Sequence, residues 1–173
     1  MAPVTVFLGL GANLGRRREN LRCAVRELAR AGVEIVQASS LYETEPWGVT
    51  DQPPFLNAVL KAQVACTPRR LLEFCKEAEE VCGRVLGHRW GPRAVDVDIL
   101  FFGALTVDEP DLQIPHPRLG ERRFVLEPLK EVMAGDRLPD GRSLPALLSS
   151  VDDQGVQPVA GPRWLWEEEP EDD

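Results

Sequence analysis

Strand-like and helix-like segments follow one another along this chain in the order β-α-β-β-α-β, and that order restricts the folds open to it. Val4 to Leu10 has strand composition, and the nearby glycines Gly9, Gly11 and Gly15 read as shaping a turn into the next segment. From Arg16 to Ala31, Leu21, Ala24, Val25 and Leu28 fall at helical spacing, and Gly32 is a stop signal. Val33 to Tyr42 is again strand-like, followed by the turn-rich stretch ETEPWGVTDQPP. Phe55 to Ala65 is the third strand. Thr67 and Pro68 then offer an N-cap and a first helical residue for a helix reaching about Cys82. The stretch RWGPRAVDVDILFFG, Arg89 to Gly103, supplies the fourth strand, with Gly103-Ala104 predicting a turn into a short hairpin partner, Leu105 to Val107. After a second irregular segment, DLQIPHPRLGERR, helices are predicted near Phe124 to Met133 and Leu144 to Val151.

The order predicts an α+β fold: a ferredoxin-like βαββαβ sandwich with an antiparallel sheet, helices on one face, and a C-terminal extension. The other face and its loops are left for a ligand. With 173 residues and 43% hydrophobic content, the chain is sized for one domain. No apolar run approaches the roughly 20 residues of a membrane span. The N-terminus lacks the basic start of a signal peptide, so a cytoplasmic protein is expected. Cys23, Cys66, Cys75 and Cys82 show no metal-type spacing and read as reduced thiols, with Cys75 and Cys82 (i, i+7) both able to face the core. The net charge of −8 is concentrated at one end: residues 152–173 hold eight acids and one arginine, leaving −1 on the first 151. A domain over 1–151 and an acidic C-terminal tail over 152–173 follow, whose last stretch, EEEPEDD, reads as a solvated, poorly ordered end.

The chemistry-bearing feature is the pair Asp96 and Asp98 in an otherwise apolar strand. Residues i and i+2 share a face, about 7 Å apart along the strand, so both carboxylates point one way while Val95, Val97 and Ile99 point the other. Two acids alternating in a strand commonly mark a wet face. Here the flanking residues are strongly apolar and Arg84, Arg89 and Arg93 lie just upstream. Paired carboxylates suit Mg²⁺, a hard cation that keeps positions for water and phosphate, and two such ions about 3.5–4 Å apart could grip a polyphosphate. Arg118, Arg122, Arg123 and His116 flank the strand from the downstream side, and arginine forks onto phosphate. A P-loop is excluded, because no G-x-x-x-x-G-K-[ST] occurs; GLGANLG also misses the dinucleotide spacing by one residue. Trp47, Phe55, Trp90 and Phe124 stand in or beside irregular segments. Each could simply plug the core, or two could hold a flat heterocycle whose edge Asn57 reads with a donor pair and an acceptor.

SSLYETEPWGVTDQPPFLNAV, GRVLGHRWGPRAVDVDILFFG and IPHPRLGERRFVLEPL, with GLGANLG before them, closely resemble the hydroxymethyl-dihydropterin pyrophosphokinase family of folate biosynthesis. The likeness covers roughly Val4 to Ser150. It implies transfer of a pyrophosphoryl group from ATP to the hydroxymethyl oxygen of a reduced pterin, releasing AMP, with the product passed to dihydropteroate synthase. It further implies that Asp96 and Asp98 hold two Mg²⁺ ions, and that Phe55 and Phe124 sandwich the pterin. Asn57 would read the pterin edge, and Thr44, Glu45, Pro46 and Trp47 would close its pocket. Arg84, Arg93, His116 and Arg122 match phosphate-holding positions, and Arg84 and Arg93 join the two aspartates as the expected catalytic set. Lys76, Glu79, Arg89, Trp90 and Ile99 match positions around the nucleotide. Leu86 stands where the family often has a basic residue, and Phe55 replaces a Tyr of some members. No nucleic acid or membrane partner is implied.

The alternative from another class is an RNA-binding module, which shares the βαββαβ order. It needs a basic sheet face bearing central aromatics. The strand in question carries two acids instead, which repel phosphate unless a cation intervenes.

Overall fold

The computed structural model describes residues 1–45, 53–85 and 94–167, with side chains in the second span described as far as Gly83. The sequence segments become β1 (Val4–Ala12), α1 (Arg17–Arg30), β2 (Glu34–Ala38), β3 (Leu41–Thr44), β4 (Phe55–Val64), α2 (Pro68–Val85) and β5 (Asp96–Phe102). The C-terminal part adds β6 (Val107–Glu109), β7 (Leu112–Ile114), α3 (Arg123–Val132), α4 (Leu144–Ser150) and β8 (Gln157–Ala160), with short 3-10 turns at Leu119–Glu121 and Pro162–Leu165.

Strand pairing runs β5-β1-β4-β3-β8, with β2 also on β4, and every pair is antiparallel. The expected second strand is therefore split. Ser39 and Ser40 interrupt it, and the Ser39 side chain substitutes for a ladder bond: its Oγ accepts from Val59 N at 2.9 Å while Ser39 N donates to Val59 O. Both halves stay on β4, so the order expected of the βαββαβ pattern is kept.

Period-two alternation in β1 sends Val6, Leu8, Leu10 and Ala12 to one face. There they meet Leu21, Ala24 and Leu28 of α1 and Leu71, Cys75 and Ala78 of α2. These two helices lie on one face, as the pattern predicts. Phe7, Val59, Leu100 and Phe101 face the other way and pack against Leu119, Leu126, Leu129 and Leu144. The opposite face is thus not left open along its whole length, because α3 lies over β4 and β3. Each such Leu, fully buried, contributes about 1.5–3 kcal/mol. The helix is also fixed by Glu131, whose carboxylate accepts from Ser40 N, from Ser40 Oγ at 2.7 Å and from Tyr42 Oη at 2.7 Å.

Two expectations are corrected. The hairpin is not formed between β5 and Leu105 to Val107. Val107–Glu109 pairs instead with Leu112–Ile114, because Pro110-Asp111 makes a tight local turn, and Leu105 is exposed. Cys23 and Cys82 are not thiols but a disulfide joining α1 to α2, which pack side by side with the two Cα atoms 5.9 Å apart. Cys75 is a fully buried thiol, as its spacing predicts, and burial followed by the nearby Glu79 charge pushes it up to about 12. The EEEPEDD end lies outside the described residues after Glu167, and the part of the tail before it is placed against the body. β8 pairs with β3, and Trp164 is 2% exposed, its Nε1 donating to Ser39 O at 2.8 Å. Among the described residues, no helix is long and apolar enough to cross a membrane.

Candidate active site

The site grows from strand register. Gly11 of β1 pairs with Asp96 on one side and with Asn57 on the other, and Asn57 pairs onward with Tyr42. Gly9 likewise stands between Asp98 and Val59. Residues opposite one another across antiparallel strands share a face, so the acid pair and the amide lie on one side of the sheet, separated only by bare glycine backbone. A Cβ on Gly11 would come within 3.1 Å of Asn57 Oδ1, and one on Gly9 within 3.4 Å of Leu100 Cδ2. Of the three glycines read as turn formers, Gly15, with φ of 59°, sits in the turn after β1, while Gly9 and Gly11 lie within the strand. Glycine at alternate strand positions was the signal for a close ligand approach, and it was attributed to the turn.

A bulge completes the floor. Register shifts between Phe7 and Leu8, leaving Leu100 as the extra residue on β5. The Leu100 carbonyl accepts the N–H of His116 at 3.1 Å, which fastens the irregular segment after β7 against the aspartate strand. Together these elements enclose a cavity of about 500 Å³.

At one end of the cavity stand Thr44, Glu45, Phe55, Asn57 and Phe124. Asn57 is buried, and its Nδ2 donates to Thr44 Oγ1 at 2.9 Å, so the amide is oriented before any ligand arrives. Phe124 lies in the first turn of α3 with the Arg122 guanidinium 5.5 Å from its ring centre. Asp96 and Asp98, both exposed, line the same cavity together with His116, Arg118 and Arg122. Among the described residues, Asp98 makes no side-chain hydrogen bond or ion pair. His116 Nδ1 accepts the N–H of Arg118 at 3.2 Å, so the neutral ring carries its proton on Nε2. Partial burial holds the His116 pKa below the usual imidazole value; the Asp98 charge opposes this, and Arg122 and Arg118 reinforce it.

The described cavity thus gathers Asp96, Asp98, Thr44, Glu45, Phe55, Asn57, Phe124, His116 and Arg122 from the expected set. Lys76, Glu79 and Ile99 do not line it. Ile99 is 6% exposed in the core beneath α1 and α2, and buried Glu79 accepts Val97 N at 3.1 Å, tying α2 to the back of the aspartate strand. Lys76 stays near Glu79, 3.7 Å away. Pro46, Trp47, Arg89, Trp90 and Arg93 lie outside the described residues, as does the side chain of Arg84. Sequence reasoning did not assign Glu121, which also lines the cavity, or Asn20. The latter is fully buried on α1 and donates to Leu14 O at 2.7 Å and Ala94 O at 3.2 Å, pinning the entry to β5.

An antiparallel sandwich whose open sheet end carries an acid pair at one side and rings around an amide at the other defines a domain that brings a polyanion to a flat heterocycle. A family model described as 7,8-dihydro-6-hydroxymethylpterin-pyrophosphokinase matches residues 7–134. A 2-amino-4-hydroxy-6-hydroxymethyldihydropteridine pyrophosphokinase of Methylorubrum extorquens is 41% identical over 154 residues, 88% of this chain and 97% of the relative. One from Pseudomonas aeruginosa is 40% identical over 157 residues, 90% of this chain and 97% of the relative. A mitochondrial folate synthesis bifunctional protein of Arabidopsis thaliana is 45% identical over 128 residues, but those cover only 23% of its length. The wild-type Plasmodium falciparum HPPK-DHPS crystal structure shares the fold at TM-score 0.69 and 16% identity, over 86% of this chain and 43% of that longer one. The chain belongs to the 7,8-dihydro-6-hydroxymethylpterin-pyrophosphokinase family. The RNA-binding alternative falls with that assignment, and the sheet face such a module would offer is partly covered by α3 and carries the two acids.

Proposed function

We propose that the cavity binds ATP and a reduced pterin at once and carries out the family reaction, moving pyrophosphate from ATP to the pterin hydroxymethyl group in folate biosynthesis. The observation that carries this reading is the shared row of Asp96, Gly11 and Asn57. It sets a carboxylate and an amide on one sheet face with nothing but backbone between them, which supports a cation at the first and a heterocycle edge at the second. In this reading Phe55 and Phe124 flank the pterin, Thr44 holds Asn57, and His116 and Arg122 meet phosphate oxygens. Arg84, Arg89, Arg93 and Trp90 would add contacts to the nucleotide, and Pro46 and Trp47 would add contacts to the pterin; Lys76, Glu79 and Ile99 would act from behind the aspartate strand.

The aspartate pair fits Mg²⁺. Among the described residues Asp98 has no competing side-chain partner, and no group of three His, Cys, Asp or Glu side chains would fill the coordination shell. A hard cation held by two carboxylates keeps its remaining positions for phosphate and water. Asp96 and Asp98 would hold two such ions, whose charge offsets that of the triphosphate. The chain's own residues do the rest. The hydroxymethyl oxygen attacks the β-phosphorus and gives up its proton to solvent, a new O–Pβ bond forms, the bond from Pβ to the bridging oxygen breaks, and AMP leaves with that oxygen. Arg122 and the Nε2–H of neutral His116 donate to oxygens whose charge grows as the bond breaks. Asn57 and the two rings hold the acceptor in line. The pterin diphosphate would pass to dihydropteroate synthase, a reading supported by the fused HPPK-DHPS chain of Plasmodium falciparum.

The test is product identity. Protein supplied with ATP, Mg²⁺ and the reduced pterin should release AMP in step with pterin diphosphate; ADP or free phosphate in place of AMP overturns the assignment. Asp98→Ala should lower kcat by about a thousandfold or more with an unchanged melting temperature. A near-normal rate would remove the cation-binding role.

A further inference from the structure

The three arginines after β7 do different things. Arg123 is spent on structure: its Nε donates to Glu127 at 3.2 Å, and its guanidinium to Gln154 O at 2.7 Å and Asp152 O at 3.2 Å. Arg122 leans on the Phe124 ring. The Arg118 guanidinium makes no hydrogen bond or ion pair with any described residue, yet it lines the same cavity as the acid pair. A cation left uncommitted at the wall of a cavity that already holds carboxylates is suited to an incoming polyanion.

The backbone presenting it is rigid. Leu119 is fully buried and anchors the 3-10 turn in the core beneath α3. Glu121 N donates to Arg118 O at 3.0 Å, and Gln154 Nε2 braces the turn through Glu121 O at 2.8 Å. Arg118 N is itself held by His116 Nδ1. The two arginines flanking this turn therefore enter the cavity from fixed points on either side of buried Leu119. Such a pair can fork onto different phosphates of one chain, which a single arginine cannot.

We propose that Arg118 is a further phosphate-contacting residue of this enzyme, acting beside Arg122 and His116 on the triphosphate of ATP. This rests on the reading of the cavity given above. It adds a contact that the family likeness does not assign, and in this chain it would offset Leu86, the apolar residue at an often basic position.

The experiment uses the full chain and two probes, Mg-ATP and Mg-tripolyphosphate, titrated by calorimetry alongside steady-state kinetics. Arg118→Ala keeps the backbone bond to His116 and removes only the side chain. It should weaken both probes and raise the KM for ATP about tenfold, with pterin affinity unchanged; Arg118→Lys should recover part of the loss. Equal affinity of wild type and Arg118→Ala for tripolyphosphate, together with an unchanged KM for ATP, overturns the proposal. Failure of the wild type to release AMP would overturn the assigned reaction instead. Loss of tripolyphosphate binding in Arg118→Ala would still uphold the arginine contact in that case.

Discussion

His116 shows how one residue is set by its surroundings. Partial burial and the two arginines outweigh the attraction of Asp98, so the folded protein protonates this ring less readily than the unfolded chain does. On acidification the unfolded state takes up the proton first. The contribution of His116 to stability is therefore complete above the ordinary imidazole value of about 6.5 and declines as pH falls below it. His116→Gln should accordingly lose less stability than wild type between about pH 8 and about pH 5, read as urea midpoints without nucleotide. Parallel pH profiles for the two proteins would contradict this account. In the proposed reaction the neutral ring would still donate its Nε2–H to a phosphate oxygen. At this scale the residues singled out in the sequence, Asp96, Asp98, Asn57 and Phe124, all line one cavity. Gly9 and Gly11 were misread because a glycine's role depends on what stands across the ladder from it, which local spacing does not contain.

At the level of elements, α3 decides where the ligand can sit. It covers the middle of the sheet face and places Phe124 at the cavity, and its position depends on Glu131. Removing that carboxylate leaves Ser40 N, Ser40 Oγ and Tyr42 Oη without their acceptor, which costs about 2–3 kcal/mol. Glu131→Ala should lose that stability and raise the KM for the pterin more than that for ATP, because the ring moves and the acid pair does not. The chain has a single tyrosine, so its absorbance gives a direct readout. Burial first, and the bond to Glu131 second, raise the Tyr42 phenol well above its ordinary range. Tyrosinate should therefore be absent in wild type until alkali unfolds the protein, and should appear at lower pH in Glu131→Ala. Identical tyrosinate titrations would remove Glu131 as the clamp. No periodicity announces such a clamp, since Ser40 and Tyr42 are about ninety residues from Glu131. The helix itself was legible as a local pattern.

Across the whole molecule the sheet separates support from chemistry. The face beneath α1 and α2 is closed by Leu8, Leu21, Leu28 and Trp164, with the Cys23–Cys82 bridge between the helices. The opposite face is closed only as far as α3 reaches, and the remaining end is the cavity. The strand order was legible because alternation and turn residues are local. The disulfide and the docking of Trp164 were not, because both depend on which helices and strands become neighbours. This separation makes a test possible. Trp164 packs in the cluster opposite the cavity and donates to Ser39 O, so its loss should weaken the fold without touching a substrate. Trp164→Ala should cost about 3–5 kcal/mol of stability, measured by urea unfolding. Well below its melting temperature the variant should keep kcat and both KM values within about twofold, since rigid supports tolerate distant truncation while the native state still dominates. If instead the pterin KM rises with the loss of stability, the strand pair β3–β8 transmits into the cavity through Thr44 and Asn57. The two faces would then be energetically one unit, with the C-terminal segment part of the site's support.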